Sequence, residues 1–144
     1  GIALGYFTET ALDVVTQRMR TLLAAEGVTL SGLYYCPHDP AGRSHRYAMR
    51  CRCRKPAPGL LLAAAHIHDI DITQSWMIGD ILDDIEAGER AGCRTVLLDN
   101  GNETVWKGGP YREPTYRAPD FAAAALLIEQ APVRNRMPVY KAVR

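Results

Sequence analysis

Four side chains stand in two short pairs that suit metal chemistry. Cys36-x-His38 is followed, after twelve intervening residues, by Cys51-x-Cys53. In an extended segment, residues i and i+2 point to the same side, so each pair presents two ligands to one ion. Three thiolates and an imidazole close the tetrahedral shell that structural zinc prefers. The spacing therefore predicts a structural Zn²⁺ site, in a chain kept reduced in the cytoplasm rather than one stapled by disulfides. His45 is the spare ligand should His38 point away, and the fourth cysteine, Cys93, is a bystander. The competing reading is two incidental cysteine-rich turns or a labile disulfide.

Two further features suggest phosphate chemistry. An apolar stretch, Ser75–Ile78, runs into Gly79-Asp80. In open α/β sheets function gathers beyond the carboxyl ends of strands, and a carboxylate there suits a hard cation such as Mg²⁺. Asp84, one turn on, is placed to support that ligand; the alternative is a plain strand-to-helix turn capped by Asp83 or Asp84. Arg54-Lys55-Pro56 closes the cysteine-rich loop. A fixed lysine neutralises a transferring phosphoryl group, and an adjacent arginine grips a second anion in bidentate fashion. The alternative is a solvated basic pair. His66 and His68 read as surface or interface residues rather than ligands.

These residues need a frame. Thr8 is an N-cap for a helix to about Ala25, with an apolar face of Leu12, Val15, Met19, Leu22 and Leu23, closed by Gly27. Val28–Tyr35 reads as a strand leading into Cys36. Residues 37–55 show no apolar period, and the expected zinc supplies the order that so long a loop lacks. Helices are predicted from Pro58 to about His68, over Asp83–Ala91 and over Ala122–Glu129. Strands are predicted at Ser75–Ile78 and Arg94–Leu98, with a polar loop over residues 101–118. Strands alternating with helices indicate an α/β fold with a parallel sheet. One domain, residues 1–131, is expected, followed by a mobile basic tail over 132–144.

Composition excludes other classes. The 144 residues carry a net charge of +1, with 47% apolar and 23% charged side chains, close to a globular average. The longest apolar run, Gly59–Ala65, falls far short of the roughly 20 residues that span a bilayer, and no secretory signal or membrane partner is expected. The run Arg43, Arg46, Arg50, Arg52, Arg54 and Lys55 raises a nucleic-acid reading. One interleaved aromatic, Tyr47, and near-zero net charge weigh against it, so no nucleic-acid partner is expected.

The motifs occur together and in order. Gly1-Ile2-Ala3-Leu4-Gly5-Tyr6-Phe7-Thr8-Glu9, Tyr34-Tyr35-Cys36-Pro37-His38-Asp39-Pro40, Cys51-Arg52-Cys53-Arg54-Lys55-Pro56-Ala57-Pro58-Gly59 and Met77-Ile78-Gly79-Asp80 resemble the haloacid-dehalogenase-like (HAD) phosphatases. The subgroup contains the D-glycero-D-manno-heptose 1,7-bisphosphate and histidinol-phosphate phosphatases. The resemblance covers roughly residues 1–101 and implies a Rossmann-like parallel sheet flanked by helices, with a zinc-binding loop. It implies Cys36, His38, Cys51 and Cys53 as zinc ligands, Lys55 as the phosphoryl-stabilising catalytic lysine, Arg54 as a substrate-binding arginine and Asp80 as a Mg²⁺ ligand. It also implies an aspartyl-phosphate mechanism on a small phosphorylated metabolite, heptose 1,7-bisphosphate first and histidinol phosphate next.

The family's first motif, an Asp-x-Asp carrying nucleophile and general acid, has no counterpart here. Asp69-Ile70-Asp71 follows a helix and sits on the wrong edge of the sheet. The N-terminal strands, roughly 50 residues or about two strand–helix units, are expected to lie outside this sequence. Without them two strands would show unpaired edges, so strand exchange or a homodimer is expected. Ile81 also stands where some relatives carry a substrate-contacting lysine. The alternative function is an inactive, zinc-stabilised fragment or interaction module.

Overall fold

A computed structural model describes residues 1–134. Its regular elements are helices α1 (Glu9–Ala25), α2 (Gly59–Ile67), α3 (Leu82–Ala91) and α4 (Phe121–Gln130), and strands β1 (Trp76–Gly79), β2 (Arg94–Leu98) and β3 (Tyr116–Ala118). The strands form one parallel sheet in the order β1-β2-β3, with Met77 opposite Thr95 and Leu97 opposite Arg117. The expected α/β class with a parallel sheet is what the chain adopts.

All five residues of β2 are buried, as its apolar run and central place require. On one face Val96 and Leu98 pack with Ala118 and Ala124; on the other Leu97 packs with Leu82 and Ile85. Gly88 lets α3 lie close on the sheet, because a Cβ there would sit 2.6 Å from the Met77 Cβ and 2.8 Å from the Thr95 Cγ2. Gly92, left-handed at φ 97°, ends α3. Thr8 caps α1 by accepting from the Ala11 N–H at 3.1 Å, and Gly27 follows the helix at φ 73°, as expected.

Two expectations need correction. Residues 28–35 form no strand: among the described residues no neighbour offers them a ladder, and β-propensity without a partner makes no sheet. Residues 101–118 are not all loop, since β3 closes them; three residues between Gly- and Pro-rich turns give too short a period to read. The apolar face of α1 is not buried, with Val15 63% and Leu22 51% exposed.

The expected mobile tail falls mostly on residues 135–144, outside the described residues. Its first residues are tied down: the Pro132 carbonyl accepts from Arg94 at 2.7 Å and the Arg134 carbonyl from Gln74 at 2.9 Å. No helix among the described residues is long and apolar enough to cross a membrane.

Candidate active site and metal centre

The loop from Cys36 to Lys55 folds by converging its ligands. Cys36 Sγ lies 3.5 Å from Cys51 Sγ and 3.0 Å from Cys53 Sγ, and His38 Nδ1 lies 3.3 Å from Cys53 Sγ. The four ligand atoms all fall within 4.8 Å of one another. No disulfide joins the three thiols. Three sulfurs and one ring nitrogen facing a common centre fit a tetrahedral zinc in both donor chemistry and number. Burial works against the Cys51 thiolate, but hydrogen bonds from Cys53, from Cys36 and from the Cys53 and Arg54 backbone bring it down to about 6. Burial and the neighbouring sulfurs push Cys53 up to about 12. Sulfurs crowded together in this way are what a bound cation relieves.

The loop is anchored to α1 from outside. Glu9 accepts from the Tyr47 hydroxyl at 2.6 Å and the Tyr35 hydroxyl at 2.9 Å, and these bonds hold its carboxyl below the usual range. His45 is not a member of the cluster. His68 is no ligand either; its Nε2 meets the Tyr34 hydroxyl at 2.8 Å.

At the carboxyl end of β1 the backbone turns through Gly79 into Asp80. A side chain at 79 would collide with Asp84, whose carboxylate tucks under the strand tip. Asp84 Oδ2 accepts from the Asp80 N–H at 3.2 Å, and Asp84 Oδ1 forms an ion pair with Lys55 Nζ. Asp84 is thus buried, and its carboxylate links the β1 tip to the end of the cysteine-rich loop. The plain capping alternative for Asp83 and Asp84 is not what α3 uses. Its N-cap is Ile81, with no side-chain bond of its own, and Glu103 instead accepts from the Leu82 N–H at 2.7 Å. That bond and a second from the Val105 N–H lower the Glu103 carboxyl. Asp80 Oδ2 accepts from Asn102 Nδ2 at 2.7 Å.

Lys55, Asp80 and Asp84 line one cavity of about 410 Å³, together with Asn100 and Asp120. Lys55 also lines a second, of about 630 Å³, with Arg54, Tyr34, Leu61 and Ile81. The predicted Lys55 and Asp80 share the first cavity, and Arg54 shares the second with Lys55. Mg²⁺ is commonly held by one or two carboxylates plus substrate phosphates, so Asp80 fits as one of its protein ligands. Asp69 and Asp71 stay apart from this site. Asp71 accepts from the Thr73 N–H at 3.1 Å, capping the short 3₁₀ turn Ile72–Gln74, which matches the reading that excluded them.

Several site residues escaped sequence reasoning. Asp39 pairs with Arg54 at 2.8 Å. Asn102 and Glu103 reach the β1 tip from a distant loop. Arg112 binds Glu86 at 2.6 Å and also Asp83, fixing that loop on α3. Each pairs across a sequence separation that no local pattern encodes.

The fold agrees with what comparison finds. A HAD-hydrolase-like family model matches residues 52–124. The chain belongs to the HAD-like hydrolases, a family whose relatives here are phosphoric monoester hydrolases. More narrowly, it is 37% identical over 96% of its length to the D-glycero-beta-D-manno-heptose-1,7-bisphosphate 7-phosphatase of Escherichia coli K12, spanning 70% of that protein. It is 43% identical over 88% of its length to the enzyme of that name from Salmonella typhi, spanning 64% of it. Among solved structures, D,D-heptose 1,7-bisphosphate phosphatase from B. bronchiseptica, complexed with magnesium and phosphate, superposes with a TM-score of 0.74. It is 32% identical, over 91% of this chain and 70% of that one. Histidinol phosphate, the second substrate expected, finds no support among these relatives.

Proposed function

We propose that the chain carries the phosphate-binding face of a cytoplasmic, Mg²⁺-dependent phosphatase acting on heptose 1,7-bisphosphate. The observation that carries this reading is the meeting of Lys55 and Asp80 in one cavity at the carboxyl end of β1, buttressed by buried Asp84. The relatives named above support the substrate, and the magnesium in one of them supports the cation.

Lys55, neutralised in part by Asp84, is held where its ammonium offsets charge on a phosphoryl group. Arg54 binds a second anionic group of the substrate from the neighbouring cavity. Bound at Asp80, Mg²⁺ would add charge neutralisation on the phosphoryl oxygens. Cys36, His38, Cys51 and Cys53 would hold structural Zn²⁺, which orders the loop presenting Arg54 and Lys55. The aspartyl nucleophile is assigned to residues outside this sequence, because no Asp-x-Asp follows β1, β2 or β3.

Phosphate release from heptose 1,7-bisphosphate with Mg²⁺, measured for this sequence and for one extended upstream, tests the reading. Turnover is expected in the extended chain. There Lys55→Ala should cost about 10²–10³-fold in kcat, the size typical of one preorganised charge-stabilising group. Wild-type turnover by Asp80→Ala would overturn the cation-ligand assignment.

A further inference from the structure

Asp39 is a buried carboxylate, 8% exposed, in a stretch without regular structure. A carboxylate so buried must be paired. One oxygen, Oδ1, accepts from the Ala41 N–H at 2.9 Å, closing a local turn. The other, Oδ2, pairs with Arg54 NH2 at 2.8 Å, while Arg54 NH1 donates to the His38 carbonyl at 3.2 Å. Both terminal nitrogens of the guanidinium are thus gripped by two consecutive residues. The Arg54 side chain is nevertheless 48% exposed and lines the larger cavity beside Lys55. A half-exposed arginine with no partner would sample many rotamers and lose that freedom on binding an anion.

We propose that Asp39 is a positioning residue that holds the Arg54 guanidinium ready for an anionic group of the substrate; this rests on the phosphate-binding reading above. Two effects of Asp39 oppose each other. Its charge offsets that of Arg54, which weakens anion binding. Its grip removes rotamer freedom beforehand, which strengthens it. The grip prevails here. The carboxylate is turned into the loop and shared with the Ala41 N–H, and the guanidinium is half in water, where the Coulomb cost is screened. Of five guanidinium N–H donors, Asp39 and His38 use two, leaving three for the ligand.

The test uses Asp39→Asn, which is isosteric and keeps the acceptor for Ala41, with Asp39→Glu as the conservative rescue. Two readouts are taken by NMR: the Arg54 Nε–Hε signal without ligand, and its titration with inorganic phosphate. Unchanged amide signals over residues 36–55 show that the loop remains folded. Asp39→Asn should broaden the Arg54 signal and weaken phosphate binding about three- to tenfold, the size of one side chain ordered on binding. Asp39→Glu should restore both in part, and Asp39→Asn should add nothing in an Arg54→Ala background. Equal or tighter phosphate binding by Asp39→Asn, or an unaltered Arg54 signal, overturns the proposal. Failure of the wild-type chain to bind phosphate would instead count against the phosphatase reading, while the ligand-free Arg54 signal still decides whether Asp39 holds it.

Discussion

Residues 1–58 and residues 76–124 are stabilised by different physics. The second region has two apolar clusters, built from Val96, Leu98, Ala118 and Ala124 and from Leu82, Ile85 and Leu97. In the first, Ala3 is the one buried apolar residue, and α1 buries no residue of its apolar stripe. What organises that region is polar and point-like: four converging ligands, the Asp39–Arg54 pair, and Glu9 between two tyrosines. Burial is non-directional and spreads its effect over many contacts, whereas ligation concentrates it in a few atoms. The region that presents Arg54 and Lys55 is accordingly the one whose order depends on a few atoms.

The contrast breaks most sharply on metal removal. Chelation, or Cys51→Ser, should abolish amide protection over residues 36–55 while leaving β1, α3 and β2 protected, as hydrogen exchange can show. Metal content should fall from about one equivalent of zinc to near none, since closed zinc sites of this kind contribute folding free energy directly. Loss of protection across the whole chain would mean that the two regions share one cooperative unit.

A cavity in the sheet should do the reverse. Ile85→Ala is expected to lower stability by about 2–5 kcal/mol in denaturant titrations, with zinc stoichiometry retained by the folded fraction. Next in size is Gly79→Ala. The added methyl meets the Asp84 carboxylate, so Asp84 must leave the Asp80 N–H and Lys55. A loss of about 1–3 kcal/mol is expected, the scale of a buried polar group left without its partner, together with altered Lys55 and Asp80 signals.

The smallest effect is expected at the outer anchor. Tyr47→Phe removes the stronger of two hydrogen bonds that lower the Glu9 carboxyl. A carboxyl lowered in the folded state contributes stability above its unfolded value and loses it as pH falls through the folded value. The wild type should therefore exceed Tyr47→Phe near neutrality and converge with it in acid. An NMR titration should show the Glu9 carboxyl rising in the variant.

Legibility in the sequence followed the range of each interaction. The cysteine–histidine set was visible because both pairs are local and their chemistry is narrow. The helix ends at Thr8, Gly27 and Gly92 were visible because caps are local too. Residues 28–35 misled because β-branched and aromatic composition describes a strand's surface, while the ladder belongs to a neighbour. β3 hid because three residues carry no measurable period. Asp80 and Lys55 were nameable one at a time, yet their meeting through Asp84 spans 25 residues and more of chain. Asn102 and Glu103 had no signal at all, and Asp39 stood in a matching motif without a role, until the fold brings them beside a carboxylate, a bare helix end and a guanidinium.

Glu103 ties the strand tip to the start of α3. Its carboxylate serves the first turn of α3 through Leu82 and the loop's own turn through Val105, and its neighbour Asn102 holds Asp80. Two adjacent side chains of one loop thus brace two elements at once, so a change at Glu103 bears on the β1 carboxylate and on the otherwise uncapped end of α3 together.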